Sequence, residues 1–159
     1  MDRLWAPWRM NYIKTAKETA ECIFCEAAKT SDDASKYVVH RGEKSLIIMN
    51  LYPYNNGHLM VSPYRHIPSI LEMDDNEMLD VMRLLKMAVV LVRKALNPEA
   101  FNIGVNIGKY AGAGIEDHIH FHVVPRWRGD TNFMTTLSNT RVLPETVDQT
   151  YKRLLEAKQ

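Results

Sequence analysis

The sequence predicts an α+β fold built on an antiparallel sheet. Three observations carry this. Apolar, β-branched runs alternate with turn residues from Tyr37 to Pro63, a long stretch at helical spacing begins near Asp74, and two strictly alternating segments follow it. With 159 residues, 46% of them hydrophobic and 25% charged, the chain has the size and composition of one soluble globular domain.

No apolar run approaches the length of a signal peptide or a transmembrane helix; the best, Met87 to Val92, is far too short. A cytoplasmic location is therefore expected. Residues 1–21 read as an aromatic N-terminal extension, in which Trp5 and Trp8 stand without a period. The segment "KYVVHRGEKSLIIMNLYPYNNGHLMVSP" reads as three strands, punctuated by "GE", "YPYNNG" and "SP". Asp74 and Glu77 then form a capping-box pattern, and the helical spacing runs from Glu77 to Leu96 before "NP" ends it.

In "FNIGVNIG", Phe101, Ile103, Val105 and Ile107 alternate with Asn102, Gly104, Asn106 and Gly108, the clearest strand pattern in the chain. The small-residue loop "KYAGAG" leads to a second alternating strand, "HIHFHVVP", taken over residues 118–124. The tail, "PETVDQTYKRLLEAKQ", reads as a short polar helix.

The chain has six histidines, and His118, His120 and His122 occupy every second position of five residues. On a strand they form one polar row, with same-face neighbours roughly 6.5–7 Å apart. Three readings fit the spacing: a solvated or hydrogen-bonded row, a metal site, or a catalytic group in which a neutral imidazole attacks and its neighbours orient it or protonate a leaving group. The loop "GKYAGAG" brings main-chain N–H groups toward an anion without bulky side chains. Formal net charge is only +1, so no global field favours nucleic acid or a membrane surface, and an anionic ligand must be held locally.

"HIHFHVV" matches the alternation of the histidine triad (HIT) superfamily of nucleotidyl hydrolases and transferases. "IIMNLYPYNNGHLMVSPYRH" resembles the same family's N-G-H strand, and Asn106 has the family's spacing to the triad. The resemblance covers roughly residues 22–126. It implies a HIT-like fold, a half-barrel antiparallel sheet with one long helix and a short C-terminal helix, and a homodimer.

It also implies that His120 is the nucleophile, forming a covalent nucleotidyl-histidine at the α-phosphorus, and that His122 assists the leaving group. Asn50 matches the ribose position and Asn106 a phosphate position, with Gly112 and Gly114 in the phosphate loop. His58 matches a family histidine for which a buried structural role is equally open. Familiar members carry Gln followed by Ser or Thr just before the triad, where this chain has Gly114 and Ile115. "VVPRWRGDTNFMTTLSNTRVLPE" and "RLWAPWRMNYI" resemble the bacterial branch that contains diadenosine tetraphosphate phosphorylases, which use inorganic phosphate in place of water. Lys109, Arg126 and Arg128 are the cations open to a phosphate pocket, and Trp127 is open to base stacking or an interface.

The two cysteines, Cys22 and Cys25, form a C-x-x-C pair, read as a redox pair, half of a zinc site or two core residues. By resemblance to HIT proteins with this pair, structural zinc is expected on Cys22, Cys25, His66 and His118. The expected function is cleavage of dinucleoside polyphosphates by phosphorolysis. Hydrolysis, action on phosphoramidates and low-turnover nucleotide binding stand as alternatives.

Overall fold

A computed structural model of the protein describes residues 22–131 and 142–158. The aromatic extension with Trp5 and Trp8, and most of the segment following Thr131, lie outside the described residues. Among the described residues, three helices, α1 (Ile23–Lys29), α2 (Asp75–Leu96) and α3 (Val147–Ala157), accompany five strands: β1 (Val38–Arg41), β2 (Ser45–Met49), β3 (Leu59–Pro63), β4 (Ala100–Val105) and β5 (Phe121–Arg126). The strands form one sheet in the order β1-β2-β3-β5-β4, and every neighbouring pair is antiparallel. The expected α+β class and antiparallel sheet are observed.

The central strands are buried on both faces, and their pleat sorts side chains into two apolar layers. Val39, Ile47, Met49, Leu59, Val61 and Val123 pack beneath α2 and α3, against Val81, Leu84, Leu85, Ala88, Leu91, Val92, Tyr151 and Leu154. The alternate residues Val38, Leu46, Ile48 and Met60 pack on the other side with Phe24 and Ala27 of α1. Helix α1 was not anticipated from the sequence: it is seven residues long, too short for its spacing to announce a helix. Arg41 anchors its C-terminal end by donating to the carbonyls of Ala27 and Thr30.

Two strands are shorter than their alternation suggested. The fourth stops at Val105 and leaves Asn106, Ile107 and Gly108 beyond it. The fifth begins at Phe121, so His118 and His120 precede the strand assigned to residues 118–124. The cause lies in the main chain. The Ile119 N–H donates to the Ile67 carbonyl at 2.7 Å, and its own carbonyl accepts from Ser62 Oγ at 2.9 Å. Those groups are thereby withdrawn from a strand ladder.

Both long-range turns depend on specific backbone. Gly57 has φ of +76°, and a Cβ there would come within 2.4 Å of Leu96 Cδ1, so the turn before β3 requires glycine. The capping box at the start of α2 is observed: Asp74 accepts from the Glu77 N–H at 2.8 Å, and Glu77 accepts from the Asp74 N–H at 3.0 Å. Arg65 grips the same Glu77 carboxylate through two nitrogens, at 2.6 and 2.7 Å. It thereby ties the residue before His66 to the head of α2.

The Arg65 guanidinium is the main reason the Glu77 carboxyl titrates below its ordinary value of 4.5, against an opposing contribution from burial. A carboxyl depressed on folding contributes stability above its unfolded pKa and loses it as pH falls through the folded one. Glu77→Gln is expected to lower the melting temperature at pH 7 and to narrow its difference from wild type steadily below about pH 4.5, followed by thermal denaturation across pH 3–7.

Candidate functional site

The three histidines lie on the α1 side of the sheet, where β5 enters between β3 and β4. The strand register pairs His122 with Met60 on one side and Gly104 on the other. The ladder ends one step back, where Phe121 pairs with Val61 and Val105. All three rings are buried, as is His58. They do not converge on one ion, because each engages a different partner.

The hydrogen bonds assign the proton on each ring. His120 Nδ1 lies 2.9 Å from the main-chain carbonyl of His118 and must donate to it, so Nε2 carries a free lone pair. The Tyr54 N–H donates to His58 Nδ1 at 3.1 Å, which places the His58 proton on Nε2. That N–H donates to His122 Nδ1 at 2.9 Å, so His122 in turn carries its proton on Nε2. The His120 and His122 rings stand 5.0 Å apart at 76°. A bare imidazole nitrogen and a protonated one are therefore presented side by side.

Burial favours the neutral form of His120 and His58. It pushes His120 below the ordinary histidine range, opposed by the hydrogen bond to the His118 carbonyl. It pushes His58 well below that range, helped by the neighbouring His122 and His120. The sequence left the role of His58 open between function and structure. The structure shows a wholly buried ring with both nitrogens bonded, tilted against both Tyr54 and His122. Leaving one buried ring nitrogen unpaired would cost about 1–3 kcal/mol, so this hydrogen-bonded relay is strongly held.

His118 faces the other way. Its Nε2–H donates to the Pro63 carbonyl at 2.9 Å, which leaves Nδ1 bare. That nitrogen lies 3.2 Å from Cys22 Sγ, 3.5 Å from Cys25 Sγ and 3.2 Å from His66 Nδ1, and Cys25 Sγ is 3.3 Å from His66 Nδ1. Four ligand atoms thus gather within 4.8 Å of one another. A tetrahedral ion with bonds of about 2.0–2.3 Å would space its ligands roughly 3.3–3.8 Å apart, so these separations and the two-sulfur, two-nitrogen donor set suit a metal ion. Burial pushes the Cys22 thiol up, a cost that a divalent cation reverses by favouring the thiolate.

The remaining sequence-predicted residues are more dispersed. Asn50 follows β2, and its Oδ1 accepts from the Tyr52 N–H at 2.9 Å. Asn106 begins the loop after β4, and Gly112, with φ of +87°, closes a short 3-10 turn over Lys109–Ala111. Gly114 is exposed, while the Ile115 side chain packs against the layer formed by Phe24, Leu46 and Met60. Arg126 is committed elsewhere: it pairs with Asp130 at 2.6 Å and donates to Asn102 Oδ1. Arg128 donates its main-chain N–H to Glu99, and the Trp127 indole donates to the Asn97 carbonyl. Phe24 went unremarked in the sequence although it sits inside the C-x-x-C pair; its ring lies 5.1 Å from His118 and 5.0 Å from His120.

The chain is similar to known proteins over nearly its whole length. It is 38% identical over 163 residues to the AP-4-A phosphorylase of Mycobacterium tuberculosis, covering 98% of this chain and 83% of that one. It is 32% identical over 105 residues to the adenosine 5'-monophosphoramidase hnt1 of Schizosaccharomyces pombe, covering 66% and 74% of the two chains. Among solved structures, a zinc-bound histidine triad family protein from Mycobacterium smegmatis superposes with a TM-score of 0.69 at 28% identity, covering 86% of this chain and 92% of that one. The HIT domain model matches residues 31–129. With the triad, its proton arrangement and the sheet that carries it all in place, the chain belongs to the HIT family.

Proposed function

We propose that this protein is a nucleotidyl transferase that cleaves dinucleoside polyphosphates of the diadenosine tetraphosphate type and passes the nucleotide to inorganic phosphate. The observation that carries this reading is the pairing of a bare Nε2 on His120 with a protonated Nε2 on His122. His120 Nε2 attacks the α-phosphorus and a P–N bond forms as the bond to the bridging oxygen breaks. His122 gives its Nε2 proton to that departing oxygen. A phosphate oxygen then attacks the same phosphorus, the P–N bond breaks, and His122 recovers a proton from the incoming phosphate. Diadenosine tetraphosphate would yield ATP in the first step and ADP in the second.

The similarity to an AP-4-A phosphorylase supports this substrate class and acceptor. Asn50 is assigned to the ribose hydroxyls and Asn106, which directly follows the last β4 residue paired with β5, to a phosphate oxygen. With Ile115 turned to the apolar layer, the anion contacts fall to the main-chain N–H groups around Gly112 and Gly114. Because Arg126 is held by Asp130, Lys109 and Arg128 are the cations left for the acceptor phosphate.

The metal assigned to Cys22, Cys25, His66 and His118 is zinc, whose chemistry there is structural: it cross-links three chain segments and supplies no reacting group. Free thiols in this role suit the reducing cytoplasm, and no helix among the described residues is long and apolar enough to cross a membrane. A homodimer is proposed through the outer face of α2 and the free edge of β4. Leu79, Met82 and Ile103 are there 50%, 64% and 52% exposed, and they line one apolar groove.

Product analysis with diadenosine tetraphosphate tests the central reading. ADP and ATP are expected only when phosphate is present, and His120→Ala is expected to abolish turnover while nucleotide affinity stays within about tenfold. AMP formed from water alone would make the protein a hydrolase. Cys22→Ser is expected to drop zinc well below one per chain and lower the melting temperature, measured by metal analysis and calorimetry; unchanged stoichiometry would refute the ligand set. Ile103→Lys is expected to halve the mass seen by sedimentation, and a monomeric wild type would remove the dimer.

A further inference from the structure

The C-x-x-C segment does more than offer two thiols. Between Cys22 and Cys25 it carries Phe24, which is 0% exposed and whose ring stands about equally far from His118, a metal-site residue, and from His120, the nucleophile. The two contacts are tilted, at 50° and 31°, so the phenyl ring forms a wall against which both imidazoles rest.

Helix α1 is held at two ends by different means. Arg41 fixes the C-terminal end through the Ala27 and Thr30 carbonyls. At the N-terminal end, Cys22 is the cap and makes no side-chain capping bond. The two thiols there reach His118 and His66, and the Cys22 thiol also faces the main-chain N–H groups of Phe24 and Cys25. Two groups therefore set the position of Phe24: the Val38, Leu46, Ile48 and Met60 layer that buries it and, through its flanking thiols, the four ligands. His120 has one hydrogen bond fixing its ring, to the His118 carbonyl, and one bond leaves rotation about that axis free to be limited by packing.

We propose that Phe24 is a positioning residue for the nucleophile, coupling occupancy of the Cys22–Cys25–His66–His118 quartet to the orientation of the His120 ring. With the quartet closed, α1 presses the phenyl ring against His120 and keeps Nε2 aimed at phosphorus. With it open, α1 loosens at Cys22 and the imidazole gains rotational freedom while its own hydrogen bond persists. The inference rests on the zinc reading above, and zinc stoichiometry separates failure of one from failure of the other.

The test uses the full chain with its histidine ring nitrogens labelled, followed by long-range nitrogen–proton NMR as zinc chloride is added to metal-free protein at constant pH. In the wild type, His66 and His118 signals are expected to shift with a stoichiometry of one zinc per chain, and the His120 ring signals to shift and sharpen in step. In Phe24→Leu, zinc is expected to bind with the same stoichiometry while the His120 response falls to less than half. Zinc-loaded Phe24→Leu is expected to lose roughly tenfold or more in kcat with KM within about threefold, the pattern of a misaligned nucleophile. Phe24→Met serves as a second variant, with circular dichroism checking that each retains the fold. Zinc binding that leaves wild-type His120 unchanged would overturn the coupling. A raised KM with unchanged kcat would place Phe24 against the substrate and overturn its positioning role. Failure of zinc to bind the wild type would overturn the metal reading and this inference together.

Discussion

The hydrogen bond from His120 Nδ1–H to the main-chain carbonyl of His118 is the constraint on which the site depends. It decides which nitrogen of the buried ring is bare, and a carbonyl can do this because it only accepts. The carbonyl in turn is as well placed as His118 itself. That residue is held by Pro63 on one ring nitrogen and faces the thiols and His66 with the other. Loop, strand end and short helix thus meet at a single residue, and the four-ligand cluster and the histidine row share it.

The sheet divides its labour between faces. One face packs beneath α2 and α3 and builds most of the apolar core. The other carries a smaller apolar layer, the histidines and α1. Burial on this second face removes the imidazoles from water and disfavours their charged forms. The low-dielectric setting that keeps His120 neutral therefore comes from the packing of Phe24 and its neighbours, and the same packing limits how the ring can turn. The relay from the Tyr54 N–H through His58 to His122 completes the arrangement by handing the opposite tautomer to the neighbouring ring.

Sheet positions explain why residues far apart in sequence act together. Gly57 lets the chain turn into β3 so that His58 arrives beneath His122, and the Arg65–Glu77 pair fixes the residue before His66 to the head of α2. Asp130 binds Arg126, Asn55 and the Trp127 N–H, closing the loop after β5 onto the turn before β3. The carboxyl of Asp130 is held far below the usual range chiefly by Arg126, so this clasp stays charged under ordinary conditions. Arg126 is spent on architecture, which the charge alone did not reveal.

Local patterns in the chain determined the secondary structure well. The capping box at Asp74 and Glu77, the helical spacing to Leu96 and the three apolar runs before it each obey short-range rules that need no partner. The spacing of His118, His120 and His122, the C-x-x-C pair and the N-G-H strand likewise marked the family from sequence. What only the tertiary structure decided is how each imidazole is used. Alternation placed all three histidines in one equivalent row, yet Ile119 leaves the ladder for Ile67 and Ser62, and the three rings reach a carbonyl, a fourth histidine and two thiols. Helix α1 also escaped notice, because seven residues stabilise a helix only when a sheet and a ligand cluster hold it in place. Tautomer, burial and ligand grouping belong to contacts between segments, and sequence spacing carries no record of those.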